Sequence, residues 1–544
     1  MPALRDFPEQ LRLGRRCFAG AGRIENHVHA AKADGPRRSF DTFFWPALRE
    51  VAGFPKTGID LRSIHGLVLL GLIVRLGVAL FLPSTAHADE TFQYLEQAYR
   101  LASGRGMTPW EFQVGARSWL IPGLLWPFAA VAHAFTTSPT PFLAIVAMLM
   151  ILASLSSVAA AFAIGGRCGK REALLAGLVA AVWPELVFYA PHILADTLSG
   201  ATLIGALSLC LQPGGGKQRA IAAGLLLGVT VALRVQLAPA VALAAVWTGF
   251  GALRRSWSVF ALSLMGPILG SGLLDWATWG TPFQSTWVNV FLNLGGVAAS
   301  FGVQPWWWYA GIELWHWNVA APFVLLTVAL GSFRMPMLGA VLLVILATFS
   351  AVGHKEYRFI YPALPILCCL AGVGTATLLR SLARQSSFLP VGLAIACSAW
   401  IGVAAGVAVG APMRSLWTHD RGVLQALETV NADPGACGLA ISPPDTWEKT
   451  GLSRLRADIA LYAAPEPRKP SSPDAYNYVL EPLGASSSVL PTGFSRLTCY
   501  EDHAACLYHR PGTCRASGGR PLAPRGSEAT EAALRRTGLK LAGP

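Results

Sequence analysis

Long apolar segments recur between about residue 60 and residue 410, and they constrain the fold of this chain more than any other feature. Many approach the length of about 17–25 residues that crosses a hydrocarbon core of about 30 Å. Only 13% of the 544 residues are charged, whereas a soluble domain has about 25%. We therefore predict a polytopic α-helical membrane protein with about 11–13 membrane segments in the lipid bilayer.

The formal net charge of +13 lies partly in short loops between the apolar segments. Such clusters follow the positive-inside rule, which predicts that the loops are cytoplasmic. Everything after residue 411 is then on the other side, together with residues 191–196, 277–316 and 353–358. No nucleic-acid-binding motif accompanies the charge, so a nucleic-acid partner is not expected.

Composition divides the chain into four parts. The first is basic and polar with no cleavable signal peptide, and we expect a cytoplasmic extension. After the membrane part, apolar runs shorten and Pro/Gly turns appear, which is typical of a small extracytoplasmic α/β domain. The predicted parts are 1–60 (basic extension), 61–410 (membrane domain, with outer loops 83–117 and 277–316), 411–515 (α/β domain) and 516–544 (loose tail).

Within the α/β domain, residues 418–431 have a helical pattern. Three short stretches are typical of strands, namely Gly438–Ser442, Tyr476–Leu480 and Ser495–Tyr500. This domain also carries four cysteines, which permit three pairings in an oxidising compartment. A bond between Cys499 and Cys506 would suit a hairpin, and free structural thiols are the alternative.

A five-residue polar cluster, His354 to Arg358, separates two uncharged apolar runs. Charged residues at the edge of a bilayer are costly and tend to mark function. Lys355 and Arg358 offer a point charge and a planar fork of donors, which suit phosphate oxygens. His354 and Glu356 could orient these cations or neutralise a leaving group. The alternative is a snorkelling cluster with an internal Lys–Glu pair.

Asp89 and Glu90 follow the first apolar segment directly. A carboxylate there could accept a proton from a hydroxyl nucleophile, and a solvated acid pair is the alternative. Arg234 interrupts another apolar run, either as a turn residue or as a second anion ligand. Arg75 lies within the first segment, where packing or snorkelling is expected.

The outer loop around 275–316 is rich in aromatic residues, including Trp306, Trp308 and Tyr309. Aromatic platforms suit sugar faces and polyisoprenyl chains, whereas an aromatic belt at the bilayer surface is the plainer explanation. His192 and Asp196 flank another outer helix end without metal-ligand spacing, so no metal is implied.

Four motifs in order over about 64–380 resemble the lipid-phosphomannose-dependent mannosyltransferases of the N-glycan and GPI pathways. That family is glycosyltransferase family 22 and has the GT-C fold. The sequence departs from its His-Pro-Asp-Glu motif at Ala88, where proline is usual. The matching segments are His87-Ala88-Asp89-Glu90, Trp110-Glu111-Phe112 with Arg117-Ser118-Trp119-Leu120, Gly302 to Tyr309, and His354-Lys355-Glu356-Tyr357-Arg358-Phe359.

The resemblance implies transfer of a sugar, usually mannose, from a polyprenyl-phosphate-linked donor to a glycan or glycolipid acceptor, with inversion and without a cofactor or metal. Asp89 would be the general base, with Glu90 beside it. The implied donor-phosphate ligands are Lys355, Arg358, His354 and Arg234, and the implied substrate-positioning residues are Glu111, Arg117, Glu356, Trp306, Trp308 and Tyr309.

Two other classes of membrane protein are alternatives to an enzyme. A flippase or transporter of lipid-linked saccharides would have charges near the bilayer midplane and internal repeats. A membrane scaffold would leave the ordered polar motifs unexplained. We therefore predict a glycosyltransferase, and the Ala/Arg/Gly-rich composition favours a bacterial inner membrane with a periplasmic catalytic face.

Overall fold

A computed structural model of the chain is mostly helical, as predicted, with a small sheet near the C-terminus. The structure describes residues 61–212, 216–251, 253–382, 389–465, 472–482, 490–500, 505–515, 519–524, 531–532 and 534. The predicted basic extension at 1–60 lies outside these residues.

Seventeen α-helices in the described residues precede the C-terminal domain. In chain order they are α1 (Leu61–Phe81), α2 (Glu96–Ser103), α3 (Trp110–Gln113), α4 (Leu120–Phe135), α5 (Thr140–Gly165), α6 (Lys170–Val182), α7 (Pro184–Phe188), α8 (Ala195–Cys210), α9 (Lys217–Leu233), α10 (Ala238–Phe250), α11 (Trp257–Trp279), α12 (Gln284–Leu294), α13 (Trp308–Trp317), α14 (Ala321–Arg334), α15 (Pro336–Ala351), α16 (Leu364–Leu382) and α17 (Leu389–Val409). Among the described residues, six helical stretches are long and apolar enough to cross a membrane, and four apolar helices are shorter. The helices make this an integral membrane protein, because lipid leaves the backbone to satisfy its own hydrogen bonds.

Helix α16 lies in the centre of the bundle, and most of its side chains are buried. It approaches α14 closely at Gly331. A Cβ atom added at Gly331 would lie 2.0 Å from the carbonyl oxygen of Leu370 on α16. Small residues allow this kind of backbone contact between membrane helices, so the pair is held by close packing.

Arg75 on α1 is fully buried in the bundle. Its Nη1 donates to the carbonyl of Ala181 at 2.9 Å, and its Nε donates to Ser154 Oγ at 3.0 Å. Helix α6 ends beside it, and Pro184 then starts α7. Arg75 thus satisfies a carbonyl that the end of α6 leaves without a helical partner. Packing was one of the two roles predicted for it.

The first outer loop, residues 82–119, contains a continuous helical segment after α1. A π-helical turn, Glu90–Leu95, runs directly into α2. Phe92 and Met107 of this loop belong to the hydrophobic core of the C-terminal domain. The C-terminal domain therefore covers the π-helical turn, and most residues of this turn are buried.

The C-terminal domain contains α18 (Ala411–Trp417), α19 (Arg421–Ala432) and a five-stranded sheet. Its strands are β1 (Gly438–Ile441), β2 (Ala460–Ala463), β3 (Tyr478–Pro482), β4 (Ser495–Tyr500) and β5 (Ala505–His509), in the order β2-β1-β3-β5-β4. Strand β1 is parallel to β2 and β3, and β5 is antiparallel to β3 and β4. The three predicted strands correspond to β1, β3 and β4. Strands β2 and β5 were not predicted.

Both disulfides of the described residues lie in this domain. Cys499 pairs with Cys506 across the β4–β5 hairpin, which confirms that predicted bond. Cys437 before β1 pairs with Cys514 after β5. The second bond ties the two ends of the sheet region together.

Part of the predicted loose tail is ordered. Pro521 forms an antiparallel bridge with Tyr462 of β2, and the backbone of Leu522 donates to Leu461. An edge strand offers unpaired backbone groups that another segment can use. Residues 519–524 form hydrogen bonds with the unpaired backbone groups of β2. Leu534, also in the predicted tail, is buried.

Candidate active site

A cavity of about 1810 Å³ lies between the membrane helices and the C-terminal domain. It is lined by the first outer loop, the turn after α9, the loop before α16 and parts of the C-terminal domain. Eight of the predicted site residues reach it. They are Asp89, Glu111, Arg117, Arg234, His354, Lys355, Glu356 and Arg358.

Asp89 stands at the start of the π-helical turn, where the chain bends after α1. His87 stabilises the bend, because its carbonyl accepts from the backbone N–H of Glu90 at 3.1 Å. The His87 ring nitrogen Nδ1 accepts from the backbone N–H of Asp89 at 3.2 Å. The Asp89 carboxylate then points to Arg358, whose Nη2 lies 2.5 Å from Asp89 Oδ2.

Arg358 binds carboxylates on several sides. Its Nε donates to Glu356 Oε2 at 2.6 Å, and its Nη1 lies 3.8 Å from Asp196 Oδ2. The residue is buried at the start of the 3-10 turn Tyr357–Ala363 that leads into α16. With Asp89 as a third carboxylate, the positive charge of Arg358 is already compensated.

Two histidines hold Glu356 in this cluster. His354 Nε2 lies 3.0 Å from Glu356 Oε1, and its Nδ1 lies 3.0 Å from the carbonyl oxygen of Gly302. His87 Nε2 lies 3.4 Å from Glu356 Oε2. The hydrogen bond to Glu356 raises the pKa of His354. Burial opposes ionisation of Glu356, but Arg358 and His354 lower its pKa below the ordinary value.

Asp196 is a member of this cluster that the sequence did not single out as a site residue. It is 1% exposed at the start of α8, and its Oδ1 lies 2.8 Å from Arg234 Nη2. Arg234 caps α9 and stacks over the Phe359 ring, with its guanidinium carbon 4.8 Å from the ring centroid. Asp196 thus contacts both Arg234 and Arg358. Its place beside His192 at the end of an outer helix was the signal in the sequence.

Lys355 and Arg117 differ from these compensated cations. Lys355 Nζ donates to the carbonyl oxygens of Gln304, at 3.2 Å, and Val352. Arg117 Nε has no hydrogen-bond partner among the residues that the structure describes. Within the same residues, neither cation has a carboxylate oxygen within 4.0 Å, so the internal Lys–Glu pair, which was part of the alternative explanation for the 354–358 cluster, is not formed. Neither cation is held in a close ion pair, although Arg117 attracts the carboxylates of Glu111 and Asp89 at longer range.

Asp89 and Glu111, two of the carboxylates that line the cavity, have opposite pKa shifts. Burial opposes ionisation of Asp89, but Arg358 and His87 together lower its pKa well below the ordinary value. Burial raises the pKa of Glu111, with Arg117 opposing and the negative charge of Asp89 reinforcing the shift. Gln93 donates to Glu111 Oε1 at 3.2 Å. Of these two carboxylates, Asp89 therefore stays ionised more easily than Glu111.

Glu90, which was predicted to act beside Asp89, does not line the cavity. Its Oε2 lies 2.9 Å from His192 Nδ1, and its Oε1 lies 3.4 Å from Arg454 Nη2 in the C-terminal domain. Successive residues at the start of a helical turn point in different directions. Glu90 consequently connects the membrane part to the C-terminal domain.

The predicted aromatic platform also lies away from the cavity. Trp306 is 74% exposed, Trp308 starts α13 and packs on Tyr309, and Tyr309 is buried in the bundle core. None of the three lines the cavity. The exposure of Trp306 and its neighbour Trp307 suits an aromatic belt, the plainer explanation for this loop. Phe301, from the same loop, lines the cavity instead.

Comparison with known proteins agrees with this arrangement. Residues 67–433 match the Alg9-like mannosyltransferase family. GPI mannosyltransferase 4 of Eremothecium gossypii is 28% identical over 407 residues, which are 69% of this chain and 75% of that protein. GPI mannosyltransferase 3 of Drosophila melanogaster is 28% identical over 342 residues, 59% of this chain and 58% of that protein.

Among solved structures, ArnT from Cupriavidus metallidurans bound to undecaprenyl phosphate is similar with a TM-score of 0.52. The identity is 14%, and the likeness covers 85% of this chain and 98% of ArnT. It shows the fold, which is the GT-C fold predicted from the motifs. Because the family match spans more than half of the 544 residues, the chain belongs to the Alg9-like mannosyltransferase family of membrane glycosyltransferases.

Proposed function

We propose that this protein transfers mannose from a polyprenyl-phosphate-linked donor to a hydroxyl of a glycan or glycolipid, with inversion at the anomeric carbon. The observation that carries the proposal is the 2.5 Å contact between Asp89 and Arg358, which are 269 positions apart in the sequence. Two of the four motifs are therefore in direct contact at the cavity, and a third, which contains Glu111 and Arg117, also lines it. Membership of a mannosyltransferase family supports the choice of sugar.

Asp89 acts as the general base. Its carboxylate accepts the proton of the acceptor hydroxyl while the hydroxyl oxygen forms a bond to the anomeric carbon of mannose. The bond from that carbon to the phosphate oxygen breaks, and polyprenyl phosphate leaves with the electron pair. Attack from the face opposite the leaving group gives inversion. Arg358 keeps Asp89 ionised and oriented. It is not the main ligand of the donor phosphate.

Lys355 and Arg117 bind the donor phosphate. Negative charge grows on the leaving phosphate as the glycosidic bond breaks, so cations placed there stabilise the transition state. Arg358 and Arg234 were expected to share this role. Their contacts to Asp89, Glu356 and Asp196 make them weaker candidates, because an incoming phosphate would have to displace carboxylates.

The catalytic face is periplasmic, in a bacterial inner membrane. The disulfides Cys437–Cys514 and Cys499–Cys506 support an oxidising compartment for the C-terminal domain. The cavity touches that domain, so the substrates would meet on the same side. Basic loops on the opposite side support the same orientation.

The test uses the purified protein in nanodiscs with radiolabelled polyprenyl-phosphate-mannose. We expect release of polyprenyl phosphate and label transfer, with polyprenyl-phosphate-glucose and GDP-mannose much poorer donors. Lys355→Ala and Arg117→Ala should each raise the donor KM by about 10- to 100-fold, since each removes a charged phosphate contact.

Lys170→Ala is the matched control, because Lys170 is exposed at the start of α6 and does not line the cavity. It should leave the donor KM unchanged. Use of GDP-mannose in preference to the lipid-linked sugar would refute the proposed donor. Unchanged donor KM values in both cavity variants would remove the phosphate-binding role of Lys355 and Arg117.

A further inference from the structure

A second group of polar side chains is packed inside the helical bundle, outside the cavity. Its members are Glu185 on α7, Glu313 and His316 on α13, and Tyr357 of the 3-10 turn before α16. We call these four residues the Glu185 cluster. None of them lines the cavity, and the proposed mechanism uses none of them.

Glu185 is the fully buried carboxylate of this cluster. A carboxylate among membrane helices is costly to bury, so it usually has a partner and a function. Here the Tyr357 hydroxyl donates to Glu185 Oε1 at 2.6 Å. Among the described residues, the other oxygen, Oε2, has no hydrogen-bond partner. The hydroxyl of Tyr357 is thus the group that Glu185 holds.

The ring of Tyr357 is fixed by a second element. The His316 ring lies against it, with 4.4 Å between ring centroids and an interplanar angle of 49°. His316 Nδ1 also lies 3.6 Å from Glu185 Oε1. Helix α7 therefore holds the hydroxyl of Tyr357, and helix α13 holds its ring.

Tyr357 lies between the two residues that organise the proposed base. Glu356 and Arg358 line the cavity, whereas Tyr357 does not. The backbone of Glu356 is extended, with φ −124° and ψ 144°, and successive side chains of an extended chain point to opposite sides. A fixed Tyr357 on one side therefore determines where Glu356 and Arg358 stand on the other. From there Arg358 reaches Asp89 at 2.5 Å.

We propose that Glu185 is a positioning residue for sugar transfer, because its hold on Tyr357 sets the turn that places Arg358 against Asp89. This inference rests on the proposed function, since it takes Asp89 as the general base. Glu185 contacts neither substrate in this scheme. Its loss should therefore lower turnover and leave donor binding unchanged.

The test measures kcat and donor KM of purified variants in nanodiscs with polyprenyl-phosphate-mannose. Glu185→Leu and Tyr357→Phe each remove the hydrogen bond between the two side chains. Each should lower kcat by about 10- to 100-fold with the donor KM unchanged, because small displacements of catalytic groups are costly in rate. Glu185→Gln keeps an oxygen that accepts from the hydroxyl, so it should retain most of the turnover.

A double-mutant cycle separates positioning from a general structural effect. In the Arg358→Ala background, Glu185→Leu should lower kcat by a further factor of about two at most, because the arginine through which Glu185 acts is gone. A merely structural role would lower kcat by the same factor in both backgrounds.

Tyr361→Phe is the matched control for Tyr357→Phe. Tyr361 is buried in the same 3-10 turn and does not line the cavity, so this variant should keep the wild-type kcat. An equal loss of turnover in Tyr361→Phe would overturn the inference. So would wild-type turnover in Glu185→Leu and Tyr357→Phe, or a full additional loss in the Arg358→Ala background.

Thermal unfolding checks that the variants are folded. Failure of both Glu185→Leu and Tyr357→Phe to fold would assign the pair a structural role, and this would also overturn the inference. A wild type that transfers no mannose would instead refute the proposed function.

Discussion

Replacement of Glu96 should loosen the C-terminal domain from the membrane part. The carboxylate is fully buried and accepts three backbone N–H groups, from Met107 at 2.9 Å, Leu452 at 3.2 Å and Ser453 at 2.8 Å. Two of these donors belong to the C-terminal domain. Glu96→Ala would therefore leave three N–H groups in a buried site without a partner.

The magnitude follows from those three bonds. A buried donor without a partner costs about 1–3 kcal/mol, which gives about 3–9 kcal/mol for three. Removal of the carboxylate offsets part of this cost, because burial of Glu96 is itself unfavourable and raises its pKa. We expect the docking of the C-terminal domain to lose about 3 kcal/mol of free energy. This is equivalent to an increase of about 100-fold in the fraction of molecules in which the domain has come away from the membrane part.

Hydrogen exchange followed by mass spectrometry measures this directly. In Glu96→Ala, the amides of Leu452 and Ser453 should exchange about 100-fold faster than in wild type, while helix α16 keeps its protection. Glu428→Ala, an exposed residue of the same domain, is the control and should change nothing. Wild-type protection of Leu452 and Ser453 in Glu96→Ala would refute the assigned role of Glu96 in docking the domain.

Two further predictions concern the charge cluster and the disulfides. Arg358→Ala removes the cation that lowers the pKa of Asp89 and leaves the opposing effect of burial, so that pKa should rise. As the pH is lowered, the residual transfer activity of the variant should then be lost at a higher pH than in wild type. An acid limb of the pH–rate profile at the same pH as in wild type would contradict the role of Arg358. For the disulfides, loss of Cys437–Cys514, with a sequence separation of 77, should destabilise the C-terminal domain by about 4 kcal/mol, and loss of Cys499–Cys506, with a separation of 7, by about 2 kcal/mol. Thermal unfolding of Cys514→Ser and Cys506→Ser would measure this order, and the reverse order would contradict the loop-closure argument.

The membrane helices and the meeting of distant motifs were accessible from the sequence. Apolar length predicts spanning helices because lipid permits few alternatives for the backbone. The basic loops put the stretches around Asp89 and Arg358 on one side, and in the structure these two residues touch. Likewise, the short spacing of Cys499 and Cys506 indicated a hairpin, and that disulfide is present.

Side-chain direction and long-range packing could not be predicted from the sequence. Asp89 and Glu90 are neighbours, yet only Asp89 lines the cavity, because a helical turn sends consecutive side chains apart. Trp306 belongs to an aromatic-rich loop of the kind that could form a substrate platform. In the structure its side chain is 74% exposed and does not line the cavity. The part of the cavity lined by the C-terminal domain depends on how that domain docks, for which no local pattern exists in the sequence.

The most direct test of the account is transfer by Asp89→Asn in nanodiscs with polyprenyl-phosphate-mannose. Asparagine keeps an oxygen that accepts from Arg358 but cannot take the proton of the acceptor hydroxyl. We predict a loss of turnover of about 10²–10⁴-fold with the donor still bound, whereas Glu90→Gln, the adjacent carboxylate away from the cavity, should retain most of its turnover. Near-normal turnover in Asp89→Asn would contradict the assignment of Asp89 as the base.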